Sequence, residues 1–222
     1  MQNLHYQSVI KQMCLVSISI FILSACNPDK LEIEVYTSDF TTAAENEIVE
    51  VPIKASFNIL GEDEENILPQ AKTAALKFMP SGSEVEISKG QFGKIMTVVS
   101  TIPLGTKSAL DQYLQKNLRV AMVVVEGNKV EFLGTSLLNQ LNKELSFLNM
   151  MLGVKFPAES TTFRIIGDSK NKMNISAIAV FSEKKPYIQF AKDVKRRKSL
   201  EIEFKGGGDS IYHEIPPQFL IK

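Results

Sequence analysis

The chain holds two cysteines and two histidines, Cys14, Cys26, His5 and His213, and only Cys26 stands in surroundings that suggest a reaction. Lys11 is followed by an apolar run over residues 13–23, then by Ser24 and Ala25, two small side chains directly before the Cys26 thiol. A basic residue, a short apolar stretch and small residues ahead of a cleavage point describe a secretory signal. The run is too short to cross a membrane as a helix, which takes about 20 apolar residues.

The tetrapeptide Leu23-Ser24-Ala25-Cys26 resembles the lipobox of bacterial lipoproteins. That resemblance implies cleavage just before Cys26, a diacylglyceryl group on its thiol, and acylation of the new amine by a chain such as palmitate. Cys26 is thus the expected lipidation residue, residues 1–25 the expected signal, and membrane lipid the first expected partner. Asn27 follows the cysteine, not the Asp that marks inner-membrane retention in enterobacterial lipoproteins, which favours the outer membrane. Residues 26–30 form a short tether ahead of the domain. Four extended residues reach about 13 Å, so the domain is expected to sit against the bilayer surface.

Removal of residues 1–25 takes away Lys11, His5 and Cys14 and leaves 197 of the 222 residues. The balance of 25 basic and 25 acidic side chains becomes −1 with the loss of Lys11, so no general attraction to nucleic acid or anionic lipid is written into the composition. With Cys26 acylated, neither a disulfide nor a cysteine-based metal site is available. A chain of this length buries roughly 70% of its unfolded surface as one domain, expected over residues 31–222.

Other chemistry finds little purchase. His213 lies between Ile211 and Ile215 in strand-like sequence, where a half-exposed imidazole needs no catalytic role. Gly167-Asp168-Ser169 and Gly208-Asp209-Ser210 lack the second glycine of a nucleophile elbow. Glu62, Asp63, Glu64 and Glu65 lack the alternating spacing that wraps calcium, so they read as a solvated turn. Gly206-Gly207-Gly208 could form an anion nest but is followed by a strand and carries no phosphate-loop lysine. Lys195-Arg196-Arg197-Lys198 reads as a charged turn, with lipid headgroups as the alternative contact. No catalytic, metal or cofactor-binding residue is therefore expected.

The elements that must carry these residues follow from periodicity. Leu31, Ile33 and Val35 alternate with acids, and Val49 to Ile59 alternates over its whole length, both half-buried strands. Pro52 directs the second toward a sheet edge. Thr37-Ser38-Asp39 offers an N-cap to a short helix over residues 40–45. Pro69 suits the first turn of a helix that Pro80 ends. Short strand character at Val85 and Ile87 precedes residues 95–102, which read as a central strand covered on both faces. Thr106 caps a helix bearing Leu110 and Leu114, and Glu126-Gly127-Asn128 turns a hairpin. Residues 136–152 form the best helix, with Leu137, Leu141, Leu145, Leu148 and Leu152 on one stripe and Gly153 after its end. From Thr161 onward only strands are expected, at 161–166, 174–181, 187–190, 199–204 and 210–215. The expected class is α+β: mostly antiparallel sheet, three to four helices, and an all-strand meander in the C-terminal half.

Beyond the lipobox, the segments PIKASFNILG (52–61), ISKGQFG (87–93), IPLGTK (102–107), LNMMLG (148–153), LEIEFKG (200–206) and IPPQF (215–219) resemble an uncharacterised bacterial lipoprotein family. That family is a domain of unknown function associated with prophage and other mobile elements; the resemblance implies localisation and domain extent and carries no catalytic residues. The expected function is a non-catalytic binding domain held at the membrane surface, with an envelope protein as partner and no nucleic acid. Two alternatives stay open: a carrier or sensor of an apolar ligand, with its pocket between the 136–152 helix and the sheet, and a cell-wall hydrolase using paired carboxylates.

Overall fold

The structure, a computed structural model, describes residues 30–59, 64–90, 93–148, 160–206 and 215–222. The described residues form eleven strands and four helices, of which six strands and all four helices occupy the first two thirds of the chain. They are β1 (Lys30–Tyr36), α1 (Thr37–Ala44), β2 (Val49–Ile59), α2 (Glu64–Lys77), β3 (Glu84–Lys89), β4 (Lys94–Gly105), α3 (Lys107–Leu114), β5 (Ala121–Glu126), β6 (Lys129–Gly134) and α4 (Ser136–Leu148). Among the described residues only strands follow: β7 (Ser160–Ile166), β8 (Met173–Ser182), β9 (Lys185–Val194), β10 (Ser199–Lys205) and β11 (Gln218–Ile221). The fold is thus mostly sheet with four helices, and among the described residues only strands follow α4, as the periodicity indicated; the strand expected at 210–215 lies outside the described residues up to Glu214.

The sheet is not open. Nine strands run in the order β10-β7-β1-β2-β4-β5-β6-β11-β8, and β8 returns to β10 through Phe181 opposite Glu203. This closes a barrel, with β3 paired to β4 and β9 paired to β8 outside the ring. Most neighbours are antiparallel; β1–β7 and β4–β5 are parallel. Closure removes the two free edges that an open sheet of these nine strands would keep.

Alternation sets the inside. Leu31, Ile33 and Val35 of β1, Leu200, Ile202 and Phe204 of β10, and Phe163 and Ile165 of β7 point into one contiguous core. Glu32, Glu34, Glu50, Lys54, Glu84, Glu86, Glu201 and Glu203 take the outward positions. An apolar inside with a charged outside is the inverse of a membrane-spanning barrel. Phe163 is the hub of the interior, packing edge-on against Phe219 (5.1 Å), Phe204 (6.1 Å) and Phe132 (6.4 Å). Phe40 of α1 adds an edge-on contact to Phe219 at 5.9 Å.

Several local expectations shift for identifiable reasons. α1 begins at Thr37, with Tyr36 as its N-cap, and Asp39 Oδ2 accepts the Tyr36 N–H at 2.8 Å. α2 starts at Glu64, so Pro69 lies inside it rather than in its first turn, without an N–H for the residue 65 carbonyl and with its ring against it. Pro52 is in a central strand, yet β1 pairs with β2 only from Ser56 to Ile53, so the proline stands where that neighbour ends. In β4, Val99 is 37% exposed, so one face is open there. The strand buried on both faces is β5: Ala121, Val123 and Val125 face the barrel, while Met122 and Val124 meet Leu110 of α3. Thr106 does cap α3, its hydroxyl accepting the Ala109 N–H at 3.4 Å.

Candidate functional site

Cys26, the expected lipidation residue, and His213 both lie outside the described residues, as do Asp209 and Ser210. The structure does fix where the described chain begins. Lys30 opens β1, and β1 runs parallel to β7 from Leu31 beside Thr161 to Tyr36 beside Ile166. Ser199 of β10 sits opposite Ile166, and Lys205 opposite Ser160. One end of the barrel therefore gathers Lys30, Ser160 and Lys205; the other gathers Tyr36, Ile166 and Ser199. Seven residues of strand separate them by about 20 Å. Lys195, Arg196, Arg197 and Lys198 immediately precede Ser199, at the end opposite Lys30.

Asp168, of the rejected Gly167-Asp168-Ser169 elbow, has a clear task. Its Oδ1 accepts the Thr37 hydroxyl at 2.8 Å and the Ser38 N–H at 3.0 Å, while Oδ2 accepts the Ser38 hydroxyl. Its own N–H donates to Thr37 Oγ1 at 3.3 Å. The carboxylate satisfies donors at the start of α1 and ties the β7–β8 loop to that helix. Burial opposes ionisation of Asp168, but the hydrogen bonds from Ser38 and Thr37 prevail and hold its pKa below the ordinary carboxylate value. For Asp39, burial dominates and the Asp168 charge adds to it, so its pKa rises in spite of the Tyr36 N–H. The two carboxylates carry pKa values pushed apart, a pattern that acid–base catalysis also uses. Here each is occupied by helix-start donors.

A second polar cluster braces the barrel wall. Arg119 donates to Glu50 Oε1 at 2.9 Å, to the Tyr113 hydroxyl at 2.8 Å and to the Leu118 carbonyl at 2.8 Å. The Tyr113 hydroxyl donates to the same Glu50 oxygen at 2.5 Å. Burial of Glu50 raises its pKa, but hydrogen bonds from Tyr113, Thr101 and Arg119 outweigh it and the net shift is downward. These contacts join α3, β2 and the start of β5, so the cluster acts as a fastening between elements. Among the described residues no three His, Cys, Asp or Glu side chains gather in a metal-binding group.

The interior is filled. The apolar cavity beside Leu141 and Leu145 of α4, lined also by Met96, Val98 and Ala75, measures about 50 Å³. Ligand pockets for small organic molecules run to about 300–1,000 Å³. Larger hollows lie on the surface: a groove of about 780 Å³ between α2 and α4, and one of about 620 Å³ where β8 and β9 meet β11. Ile178, Gln189, Phe190 and Leu220 line the latter.

β9 extends the strand expected at 187–190 and lies outside the closed ring. It pairs with β8 from Met173–Val194 to Ser182–Lys185, and no other strand pairs with it among the described residues. Residues 187–190 showed strand character in the sequence, but not that the strand would run over ten residues outside the closed ring. Ile188 is 88% exposed, beside Tyr187 at 36%. Pro186, Lys185 and Lys192 flank the window, devices that discourage uncontrolled edge pairing. Comparison with protein families, curated proteins and solved structures finds no match to the chain.

Proposed function

We propose that this is a lipid-anchored bacterial envelope protein whose barrel is a non-catalytic binding domain, of the lipoprotein family its short segments resemble. The observation that carries the reading is Leu23-Ser24-Ala25-Cys26 at the end of a short apolar run. Acyl chains on Cys26 hold the protein at the membrane, with the outer membrane favoured by Asn27. The partner is an envelope protein that adds an extended segment to the outer edge of β9. Backbone donors and acceptors there give affinity, and Tyr187 and Ile188 give an apolar grip. The packed interior, with a cavity of only about 50 Å³ beside α4, favours this over a carrier of apolar ligands. Engagement of Asp39 and Asp168 at the start of α1 favours it over a hydrolase.

The test is Cys26→Ser in the full chain, followed by fractionation after a high-salt wash and by mass measurement. Wild type is expected in the membrane fraction with the mass of an acylated chain beginning at Cys26. The variant is expected to escape lipoprotein processing and, where cut elsewhere, to appear in the soluble fraction. Two acyl chains at about 0.8 kcal/mol per buried CH₂ make attachment stable where one does not. A signal-free Ser variant that still pellets after the wash would overturn the anchor.

A further inference from the structure

The turn between β9 and β10 carries four consecutive cations, Lys195, Arg196, Arg197 and Lys198, all exposed. It is held in a fixed shape. Lys198 N–H donates to the Lys195 carbonyl at 3.0 Å, and Arg197 adopts a left-handed backbone with φ 61°. Gly167 clamps the turn from the neighbouring loop: its N–H donates to the Lys198 carbonyl at 2.8 Å, and its carbonyl accepts the Arg197 N–H at 2.7 Å.

That clamp brings a second set of charges alongside. The β7–β8 loop that begins at Gly167 also carries Lys170 and Lys172, both exposed. Six cations thus share one end of a chain whose overall charge is close to zero. Two of the nearby carboxylates are engaged: Asp193 binds Lys172 at 2.6 Å and Asn174 at 2.9 Å, and Asp168 binds Thr37 and Ser38. Among the described residues Lys170, Arg196, Arg197 and Lys198 form no salt bridge.

We propose that this end of the barrel docks a phosphate-bearing polymer of the cell envelope. Two adjacent guanidinium groups offer fork-shaped donors that match phosphate oxygens two at a time, and the lysines add point charges around them. A turn locked by backbone hydrogen bonds presents these charges with little ordering left to pay for. Its position adds direction: β1 separates it from Lys30 by about 20 Å, against a tether reach of about 13 Å. If Cys26 is the anchor, the face is turned away from the anchoring bilayer; that orientation alone rests on the lipoprotein reading.

The experiment titrates the full-length lipidated protein, reconstituted in phosphatidylcholine vesicles, with inorganic polyphosphate at low and at physiological salt. Binding is expected, weakening steeply as salt rises, because each neutralised phosphate releases counterions. Arg196→Glu with Lys198→Glu is expected to weaken it by about tenfold or more. Lys54→Glu with Lys89→Glu, the same charge change on β2 and β3, is expected to leave it unaltered. A milder pair, Lys170→Gln with Arg196→Gln, repeats the test if the glutamate pair fails to fold. Equal losses from the two glutamate pairs, or no loss from the first, would overturn the site. Tighter binding through the same residues to phosphatidylglycerol vesicles, or to single-stranded DNA, would overturn the assigned partner. The same titration on the Cys26→Ser chain reads the face independently of the anchor, so failure of one leaves the other measurable.

Discussion

Gly167 lies so close to Lys195 that a methyl group on its Cα would stand 2.1 Å from the Lys195 carbonyl oxygen. The obstacle is backbone on both sides, so neither partner can swing away. Gly167→Ala should therefore destabilise the fold by at least the ~1–3 kcal/mol typical of overpacking, read as a lower urea midpoint at unchanged slope. The same variant should loosen the basic turn and lower polyphosphate affinity. A midpoint equal to wild type would mean the two loops do not touch.

Asp168 and Asp39 should respond oppositely to pH. Asp168 has a lowered folded pKa, so its stabilisation is present above the unfolded carboxylate value and is lost as pH falls through the folded one. Asp168→Asn should be less stable than wild type at neutral pH, with the gap closing in acid. Asp39 has a raised folded pKa, so its charge costs stability at neutral pH and protonation relieves that cost. Asp39→Asn, whose amide oxygen can still accept the Tyr36 N–H, should match or exceed wild type at neutral pH. Denaturant midpoints across an acid-to-neutral series check both; a gap for Asp168→Asn that widens in acid would mean that the Asp168 carboxylate does not stabilise the fold by its charge.

The sequence carries the local rules of this fold and little of its closure. The alternation in β1 and β2, the Thr106 cap and the Leu141–Leu145 stripe are set by neighbours a few residues apart, and they appear where expected. Closure of the ring rests on Phe181 meeting Glu203, strands that no local pattern pairs. β11 escaped because four residues behind Pro216-Pro217 give too short a pattern to count. Asp168 read as a failed elbow because its partners, Thr37 and Ser38, lie some 130 residues away. The basic run at 195–198 was legible in the sequence, but its clamp by Gly167 was not, and the open edge of β9 depends on which strands the ring leaves out.

Leu145→Ala tests the core that the helix stripe specified. Leu145 is buried against the barrel and borders the cavity of about 50 Å³, so its truncation enlarges an existing void. The cost should be about 2–5 kcal/mol, toward the upper end because the site has already failed to close around the space. Thermal unfolding within a degree or two of wild type would show that α4 packs elsewhere.

Ala179 is where β8 changes the side it buries. Ile175 and Ala177 are buried, Ile178 and Ala179 are both exposed, and Val180 and Ser182 are buried again, so the alternation slips by one residue. Ala179 has φ 50°, a left-handed conformation that rotates the strand and exchanges its two faces. The slip gives the two halves of β8 different partners. Its first half pairs with β11, Ile175 opposite Ile221, and its second delivers Phe181 to Glu203 and the Ser182 hydroxyl to the Glu201 carbonyl at 2.8 Å. The barrel closes through that second half. Glycine takes a left-handed φ without the side-chain penalty but raises the entropy of the unfolded chain, so Ala179→Gly should leave stability unchanged or raise it by up to ~1 kcal/mol. Valine, branched at Cβ, tolerates that backbone poorly, and Ala179→Val should cost ~1–3 kcal/mol. The loss should concentrate at the closure: the Phe181 and Ser182 amides should exchange with solvent faster in the valine variant, while those of β1 and β2 keep their relative protection. A valine variant as stable as wild type, with unaltered exchange at Phe181, would mean that β8 runs through Ala179 as a regular strand.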